Sequence, residues 1–392
     1  MNSRERVAIA MDLAEPDRVP VFCQLAIGHY FLNAGAAATD IWFRSDSFAE
    51  ALVELQRRYR FDGILVNLPG RDPDFERHIE RIEEAGTETT IRWKNGCFTS
   101  VPPDDNPHYF MPDGSRYLPA IDDVNPELLW YIEPWDLTGI TYPYTWGFEA
   151  GPRPFDDFFP PFHLDAVTAV KARVGNELSV HSEIFSPFSQ FLELLDYEAA
   201  LAALVRDPGK VHACLERLAL GAIDLADRQA AAGVDAVLIS SAFAGAGLIS
   251  PDYYSQFVLP YERRIISEVK SRHTGIKIYT HTCGAIGDRL QLMLETGTDG
   301  IDTLDPPPLG TVELEDAVPV LKGRAFIKGN IDAVATLLFG DEETVRAAVL
   351  KRLDAAMGGG GYILSTACSV PPAARPELIE YMSGVAIENG SY

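Results

Sequence analysis

Short apolar strands alternate with helices along most of the chain, and this regularity constrains the fold more than any other feature of the sequence. From residue 166 onward, each apolar run, such as residues 236–240, is followed by a segment with helical periodicity. Continuous apolar runs of this kind are typical of parallel strands that are buried on both faces. Two earlier runs complete a set of strands predicted near positions 21, 64, 178, 237, 277, 300, 326 and 362. The predicted helices include residues 3–14, capped by Ser3, and residues 41–59, 187–204 and 251–272. We therefore predict an α/β fold of the (β/α)8 class, the TIM barrel.

The stretch from about residue 86 to about residue 165 interrupts this alternation. Asn95-Gly96 predicts the tight turn of a hairpin over residues 87–99, and prolines and aromatic residues are dense beyond it. A stretch of this length is more typical of a lid or a binding segment than of a plain connector, although most of its rings are expected to pack on one another and on the barrel. Nothing in the sequence resembles a linker. We therefore predict a single domain over residues 1–392, with an excursion at about 86–165.

Composition and charge limit the classes of partner. The formal net charge is -24, which argues against a nucleic-acid partner and against an anionic membrane surface. The charged N-terminus does not resemble a signal peptide, and no run of about 18 apolar residues predicts a membrane span. Five cysteines without framework spacing are typical of a reducing compartment. We predict a cytoplasmic protein, and the sequence does not define its oligomeric state.

His281 and Cys283 lie two residues apart at the end of a predicted strand, so both side chains face the same side. Cys368 follows the eighth predicted strand, and Glu183 ends the third. Because catalytic groups of such barrels lie at the carboxyl ends of the strands, these four residues are expected to meet at one opening. Imidazole and thiolate are the ligands that zinc prefers. We predict a zinc site formed by His281, Cys283 and Cys368, with Glu183 as the fourth ligand.

Other interpretations remain open for these residues and their neighbours. From spacing alone, small buried cysteines and a hydrogen-bonded core histidine are as well supported as a metal site, and Glu183 could equally bind a loop amide. Asp302 and Asp305 are competing ligands, or hydrogen-bond partners of His281. Asn330 and Asn67 end their strands and are candidates for contact with a cofactor, while Asn330 and Asp332 could instead stabilise a turn. Three further histidines are interpreted as structural or surface groups unless they line the opening of the barrel: His29, His108 and His181.

Two segments carry a resemblance to a known family. Residues 248–261, with Ser250-Pro251 and Pro260-Tyr261, are similar to a segment of the uroporphyrinogen decarboxylase superfamily, and so are residues 329–332 followed by 337–340. The similarity covers roughly residues 175 to 385. Within this superfamily, His281-x-Cys283 with distant Cys368 resembles the zinc motif of the corrinoid-dependent methyltransferase branch.

The same resemblance argues against the decarboxylase branch. That branch has an arginine-rich segment after its first strand, whereas residues 24–30 contain no arginine here. Its catalytic aspartate also lacks a clear counterpart, because Gly63 occupies the matching place and Asp62 is one position out of step. A substrate with several carboxylates would therefore find little positive charge.

The resemblance implies methyl transfer that involves a corrinoid (cobalamin) cofactor carried by a partner protein. Zinc could deprotonate a thiol acceptor, or act as a Lewis acid on the oxygen of a methyl ether, and the ligands do not choose between these uses. The aromatic stretch favours a small methylated substrate of aromatic character. We predict O-demethylation of a methoxylated aromatic with transfer to cob(I)alamin. The alternatives are transfer from methylcobalamin to a thiol, uroporphyrinogen decarboxylase-like chemistry, and binding without turnover.

Overall fold

The computed structural model describes residues 1–116, 118–133 and 154–392. Within these ranges the strands are β1 (Gly63–Val66), β2 (Ile79–Ala85), β3 (Glu88–Trp93), β4 (Phe98–Val101), β5 (His108–Phe110), β6 (Ser179–Phe185), β7 (Ala236–Ser240), β8 (Lys277–Thr282), β9 (Gly300–Thr303), β10 (Phe326–Ile331) and β11 (Tyr362–Thr366).

Helices cover much of the remaining chain. They are α1 (Ser3–Met11), α2 (Ile27–Asn33), α3 (Ala38–Phe43), α4 (Ser45–Tyr59), α5 (Asp165–Val174), α6 (Pro187–Leu194), α7 (Tyr197–Arg206), α8 (Pro208–Ala231), α9 (Pro251–Phe257), α10 (Leu259–Arg272), α11 (Leu290–Glu295), α12 (Leu314–Leu321), α13 (Glu342–Ala356) and α14 (Pro376–Asn389). A π-helix spans Val334–Leu338 after β10.

The main sheet is parallel and has seven strands in the order β1-β6-β7-β8-β9-β10-β11. This confirms the predicted α/β class and seven of the predicted strands. The predicted first strand, Val21 to Gln24, is not a continuous strand. It forms isolated parallel bridges at Val21 with Leu364 and at Leu25 with Val370. On its other side, the amide of Asp62, just before β1, donates to the carbonyl of Val21 at 2.7 Å.

The inner face of the sheet has an apolar layer and a polar layer. The apolar layer contains Leu238, Tyr279, Phe326 and Ile363, and α1 packs its buried residues, including Val7, into the same cluster. Because side chains alternate along a strand, the residues two positions further on share this face. They are polar and buried: Ser240, His281, Lys328 and Ser365. The polar layer therefore lies toward the carboxyl ends of the strands.

Several predicted helices are shorter than expected or interrupted. α1 is capped by Asn2, not Ser3, because the Asn2 side chain accepts from the Glu5 amide in a capping box. The helix predicted over residues 41–59 breaks at Arg44 into α3 and α4, and the one predicted over 187–204 is likewise two helices, α6 and α7. The helix predicted over 251–272 breaks at Val258, because Pro260 cannot donate a backbone hydrogen bond and favours a new helix start.

The excursion contains a separate antiparallel sheet in the order β2-β3-β4-β5. The predicted hairpin is confirmed, since β3 pairs with β4 and the Trp93 amide donates to the Cys97 carbonyl at 2.9 Å. The sheet begins at Ile79, earlier than the change of pattern at about residue 86.

The aromatic residues of the excursion that can be described pack largely on one another and on the helices. Trp130 and Phe155 stack at 4.9 Å between ring centroids, and the Arg217 guanidinium of α8 lies over both rings. Phe158 and Phe159 are buried. The following aromatic residues lie outside the described ranges: Tyr117, Trp135, Tyr142, Tyr144, Trp146 and Phe148. In the part of the chain that the structure describes, no helix is long and apolar enough to cross a membrane.

Candidate metal centre

Three predicted ligands meet at the carboxyl ends of β8 and β11. The His281 Nε2 atom lies 3.2 Å from the Cys283 Sγ atom, and the two sulfur atoms of Cys283 and Cys368 are 3.9 Å apart. The ligand atoms of His281, Cys283 and Cys368 all lie within 4.8 Å of one another. Two residues of β8 and its loop thus share one cluster with a residue 85 positions further along the chain.

The neighbouring loops fix the position of Cys283. The chain turns at Gly284, whose φ is +76°, and the Gly284 amide donates to the Asp305 carboxylate at 2.5 Å. The loop after β7 approaches so closely that a Cβ atom on Gly245 would lie 2.5 Å from the Cys283 carbonyl oxygen. Glycine is therefore required at position 245 for the two loops to pack, and the packing holds the thiol at the end of β8.

Asp302, on the inner face of β9, contacts His281. Its Oδ2 atom lies 3.3 Å from His281 Nδ1, and the ammonium of Lys328 lies 3.0 Å from both carboxylate oxygens. Burial alone would raise the pKa of Asp302, but Lys328 and His281 outweigh it and lower the pKa below its ordinary value. For His281 the directions are reversed: burial alone would lower its pKa, but hydrogen bonds with Asp302 and Cys368 raise the pKa to about 10. Asp302 therefore stays ionised beside the imidazole.

The two thiols have opposite pKa shifts. Their mutual hydrogen bond lowers the pKa of Cys368 well below its ordinary value against the effect of burial, and His281 adds to this. The same hydrogen bond, followed by burial, raises the pKa of Cys283. Without a metal the cluster thus holds a thiolate, a thiol and an imidazolium, and a cation that binds all three must displace protons.

Glu183 lies on β6, on the same inner face of the sheet, but it is not part of the cluster of three ligands. Burial raises its pKa to about 7, although the charge of His281 opposes this shift. Its Oε2 atom is buried without a hydrogen-bond partner in the described ranges. Its role as the fourth ligand stays a prediction.

Asn330 and Asn67 occupy different surroundings. The Asn330 amide donates to the carbonyls of Leu304 and Val312, at 2.8 and 3.1 Å, and its oxygen accepts from Arg352. These contacts favour the structural role for Asn330 over contact with a cofactor. Asn67 directly follows β1 and is partly exposed.

The other candidates are distributed between loop and core. Asp305 holds the Gly284 amide, and burial raises its pKa to about 6. His29 bonds the Tyr59 hydroxyl at 2.7 Å, and His181 lies 2.9 Å from the Tyr279 hydroxyl, as expected for structural histidines. His108 is on β5, in the antiparallel sheet.

Sequence reasoning did not single out two buried charged residues near this site. Lys328 is 1% exposed in the middle of β10, and Glu133 is 3% exposed with a pKa that burial raises to about 8. A charged residue inside the apolar run 325–329 is itself a signal, because lysine is almost never fully buried without a partner. Glu133 had no such signal, since it lies in an irregular segment.

The fold and the cluster together define a class: a parallel α/β protein with a candidate site for a thiophilic metal at the carboxyl ends of its strands. Residues 151–388, more than half of the chain, match the uroporphyrinogen decarboxylase (URO-D) family. The chain belongs to this family.

Relatives in the family carry two kinds of name. The methylcobamide:CoM methyltransferase MtbA of Methanosarcina mazei is 29% identical over 221 residues, which are 55% of this chain and 61% of that protein. The uroporphyrinogen decarboxylase of Acinetobacter baylyi is 29% identical over 211 residues, which are 51% of this chain and 56% of that protein. The matches thus span about three-fifths of these relatives' length. A solved methyltransferase structure from Methanosarcina mazei shares the fold, with a TM-score of 0.71, 17% identity and 99% of each chain covered.

Proposed function

We propose that this protein is a zinc-dependent methyltransferase that works with a corrinoid carried by a partner protein. The observation that carries the proposal is the convergence of His281, Cys283 and Cys368 within 4.8 Å. Relatives named as methylcobamide:CoM methyltransferases support the reaction class.

The residues present fit a zinc ion. One imidazole and two thiols are a ligand set that zinc prefers, and a site with three firm ligands keeps a position for a substrate atom. The Oε2 atom of Glu183 is buried, has no hydrogen-bond partner among the described residues, and supplies a further oxygen on the inner face of the sheet. We propose that His281, Cys283 and Cys368 hold the ion and that Glu183 completes the set before substrate binds.

When bound there, zinc supplies Lewis-acid stabilisation to the oxygen or sulfur atom that gains or loses the methyl group. The protein's own residues do the positioning. Asp302 orients the imidazole of His281 through its Nδ1 atom at 3.3 Å. The loops at Gly245 and Gly284 fix the backbone of Cys283, and the buried side chains of the inner face limit the access of water.

For the substrate we propose a small methoxylated aromatic compound that donates its methyl group to cob(I)alamin. The support is the aromatic and proline-rich composition of the excursion, together with the absence of arginine from residues 24–30. Transfer from a methylated corrinoid to a thiol is the second candidate, and the methylcobamide:CoM methyltransferase activity for which the MtbA relatives are named favours it.

Decarboxylation is less well supported. Asp62, the residue nearest in sequence to the decarboxylase aspartate, lies at the start of β1 and not at its carboxyl end. Its carboxylate is fully buried and accepts from Arg6, Arg18, Ser3 and the Val21 amide. These bonds leave it no lone pair for a substrate.

We also propose that the sheet closes into the predicted (β/α)8 barrel within a single domain. The segment at residues 20–25 would be its eighth strand, because it bonds β11 on one side and the amide before β1 on the other.

Metal analysis followed by a methyl-transfer assay tests the function. We expect one zinc per chain after purification without chelator, and only traces in Cys283→Ala. Cys214→Ala, which changes a buried cysteine of α8 outside the cluster, should keep its zinc. Wild-type protein that neither contains nor binds zinc would refute the proposed metal site.

The assay then decides the direction of transfer. Protein, cob(I)alamin and a phenyl methyl ether are mixed anaerobically, and methylcob(III)alamin is followed by its absorption. A parallel mixture of methylcobalamin and a simple thiol measures the opposite direction. Thiol methylation without reaction of any ether would select the second candidate, and inactivity in both mixtures would refute corrinoid methyl transfer.

A further inference from the structure

A buried ion pair lies directly behind His281. Lys328 is 1% exposed, and its Nζ atom lies 3.0 Å from both oxygens of Asp302. The ammonium also lies 5.2 Å from the centre of the Phe22 ring. Removing an ammonium and a carboxylate from water is costly, and such pairs often add little net stability. The pair lies in the polar layer beside the candidate ligands, and this position suggests that it serves the site and not only the stability of the fold.

The contacts connect Lys328 to His281 through Asp302. The Asp302 Oδ2 atom faces Nδ1 of the imidazole at 3.3 Å, while Nε2 on the other side of the ring faces Cys283 Sγ at 3.2 Å. Asp302 Oδ1 also accepts from the Thr303 amide at 2.9 Å. With both oxygens held by Lys328 and one by the backbone, the carboxylate cannot rotate away from the imidazole. The ring is thereby held with Nε2 toward the thiols.

We propose that Lys328 is a positioning residue for the zinc site, acting through Asp302 on His281. This inference rests on the proposed zinc site and assigns a role that the ligand set alone does not give. A carboxylate behind a zinc-bound histidine fixes the orientation of the ring, and loss of such a partner lowers metal affinity by about 10- to 100-fold. Lys328 extends this support by one residue, because it fixes the carboxylate itself. A purely structural ion pair would stabilise the fold and leave metal affinity unchanged.

Zinc affinity, measured by competition with a chromophoric chelator, separates the two roles. We expect Lys328→Met to weaken zinc binding by about 10- to 100-fold and to shift the visible d–d bands of the cobalt-substituted protein. The matched control is Arg6→Met, which removes a buried cation from its pair with Asp62. This pair lies at the amino end of β1, on the side of the sheet opposite to the candidate zinc site. This control should lower the unfolding midpoint and leave zinc affinity and the cobalt spectrum unchanged.

A double-mutant cycle keeps the test decisive if Lys328→Met alone folds poorly. Asp302→Asn and the double variant Asp302→Asn/Lys328→Met leave no unpaired buried carboxylate. If Lys328 acts through Asp302, adding Lys328→Met to Asp302→Asn costs no further zinc affinity. Zinc affinity within twofold of wild type in Lys328→Met, or losses that multiply in the double variant, would overturn the inference. Absence of zinc binding by the wild type would instead refute the proposed metal site.

Discussion

The buried carboxyl of Glu262 should make the stability of this protein depend on pH. Glu262 lies on α10, beneath the loop that follows β7, and is 0% exposed. Its Oε2 atom accepts from the Tyr254 hydroxyl at 3.4 Å, and its Oε1 atom has no partner among the described residues. Burial raises its pKa from 4.5 to about 7, although the nearby Ser241 hydroxyl and the Tyr254 hydroxyl oppose the shift. Replacement by glutamine removes the ionisation and keeps the shape.

The sign and size of the effect follow from this shift. Because the pKa is higher in the folded protein, the folded state binds the proton more tightly than the unfolded chain does. The resulting stability is fully present below pH 4.5 and is lost as the pH rises through about 7. A difference of about 2.5 pKa units at 1.36 kcal/mol per unit corresponds to roughly 3 kcal/mol. Relative to wild type, Glu262→Gln should therefore gain roughly 3 kcal/mol of unfolding free energy between acidic and alkaline pH.

Urea unfolding of the metal-free proteins at about pH 5 and about pH 8.5 measures this change, from the shift in midpoint multiplied by the slope m. Glu198→Gln, on the exposed surface of α7, is the control and should show no such dependence. A stability difference between Glu262→Gln and wild type that stays constant from acidic to alkaline pH would refute the reasoning.

Three further predictions concern the metal site and the opposite end of the sheet. Cys368→Ala should lower the zinc content from one per chain to traces, with an unchanged far-UV spectrum; retention of zinc would remove Cys368 from the ligand set. Zinc affinity should rise with pH, because the imidazolium of His281 and the thiol of Cys283 must lose their protons when zinc binds. Calorimetry in buffers of different ionisation enthalpy measures the number of protons released, and a zinc affinity that does not change with pH would contradict this prediction. Asp62→Asn should cost about 3 kcal/mol of unfolding free energy, because it removes the buried carboxylate that pairs with both Arg6 and Arg18, without change in zinc content; a loss of zinc would show that the two ends are coupled.

The sequence predicted those strands well that are defined by local apolar composition. β7 coincides with the predicted run 236–240, because a continuous apolar segment between polar ends has few alternative structures. The segment at Val21 was predicted as a strand like the other seven, but it forms only isolated bridges. Its pairing depends on hydrogen bonds to Leu364 and Asp62, which are far away in sequence. Helix breaks at Arg44 and Val258 were also missed, since the apolar periodicity continues across both.

The candidate site divides in the same way. Ligand types and strand ends were visible in the sequence, because His281, Cys283 and Cys368 follow recognisable apolar runs. The direction of the Asn330 side chain was not visible, since its partners Leu304 and Val312 lie on another loop. The role of Lys328 depends on a carboxylate 26 residues earlier in the chain, and only the pairing of β9 with β10 places the two side by side.

Helix α1 fills the interior of the sheet from the amino ends of the strands, with Val7, Ala10 and Met11 in the apolar layer. In the proposed reaction, the small substrate and the corrinoid-bearing partner would therefore both approach the candidate metal cluster from the opposite side, at the carboxyl ends of the strands. A partner docked at this end would block the passage of the small molecule. The proposed reaction then has a compulsory order, in which the small substrate enters before the partner docks and its product leaves only after the partner departs. Steady-state kinetics with both substrates varied would show this order as inhibition by excess partner that is competitive toward the small substrate.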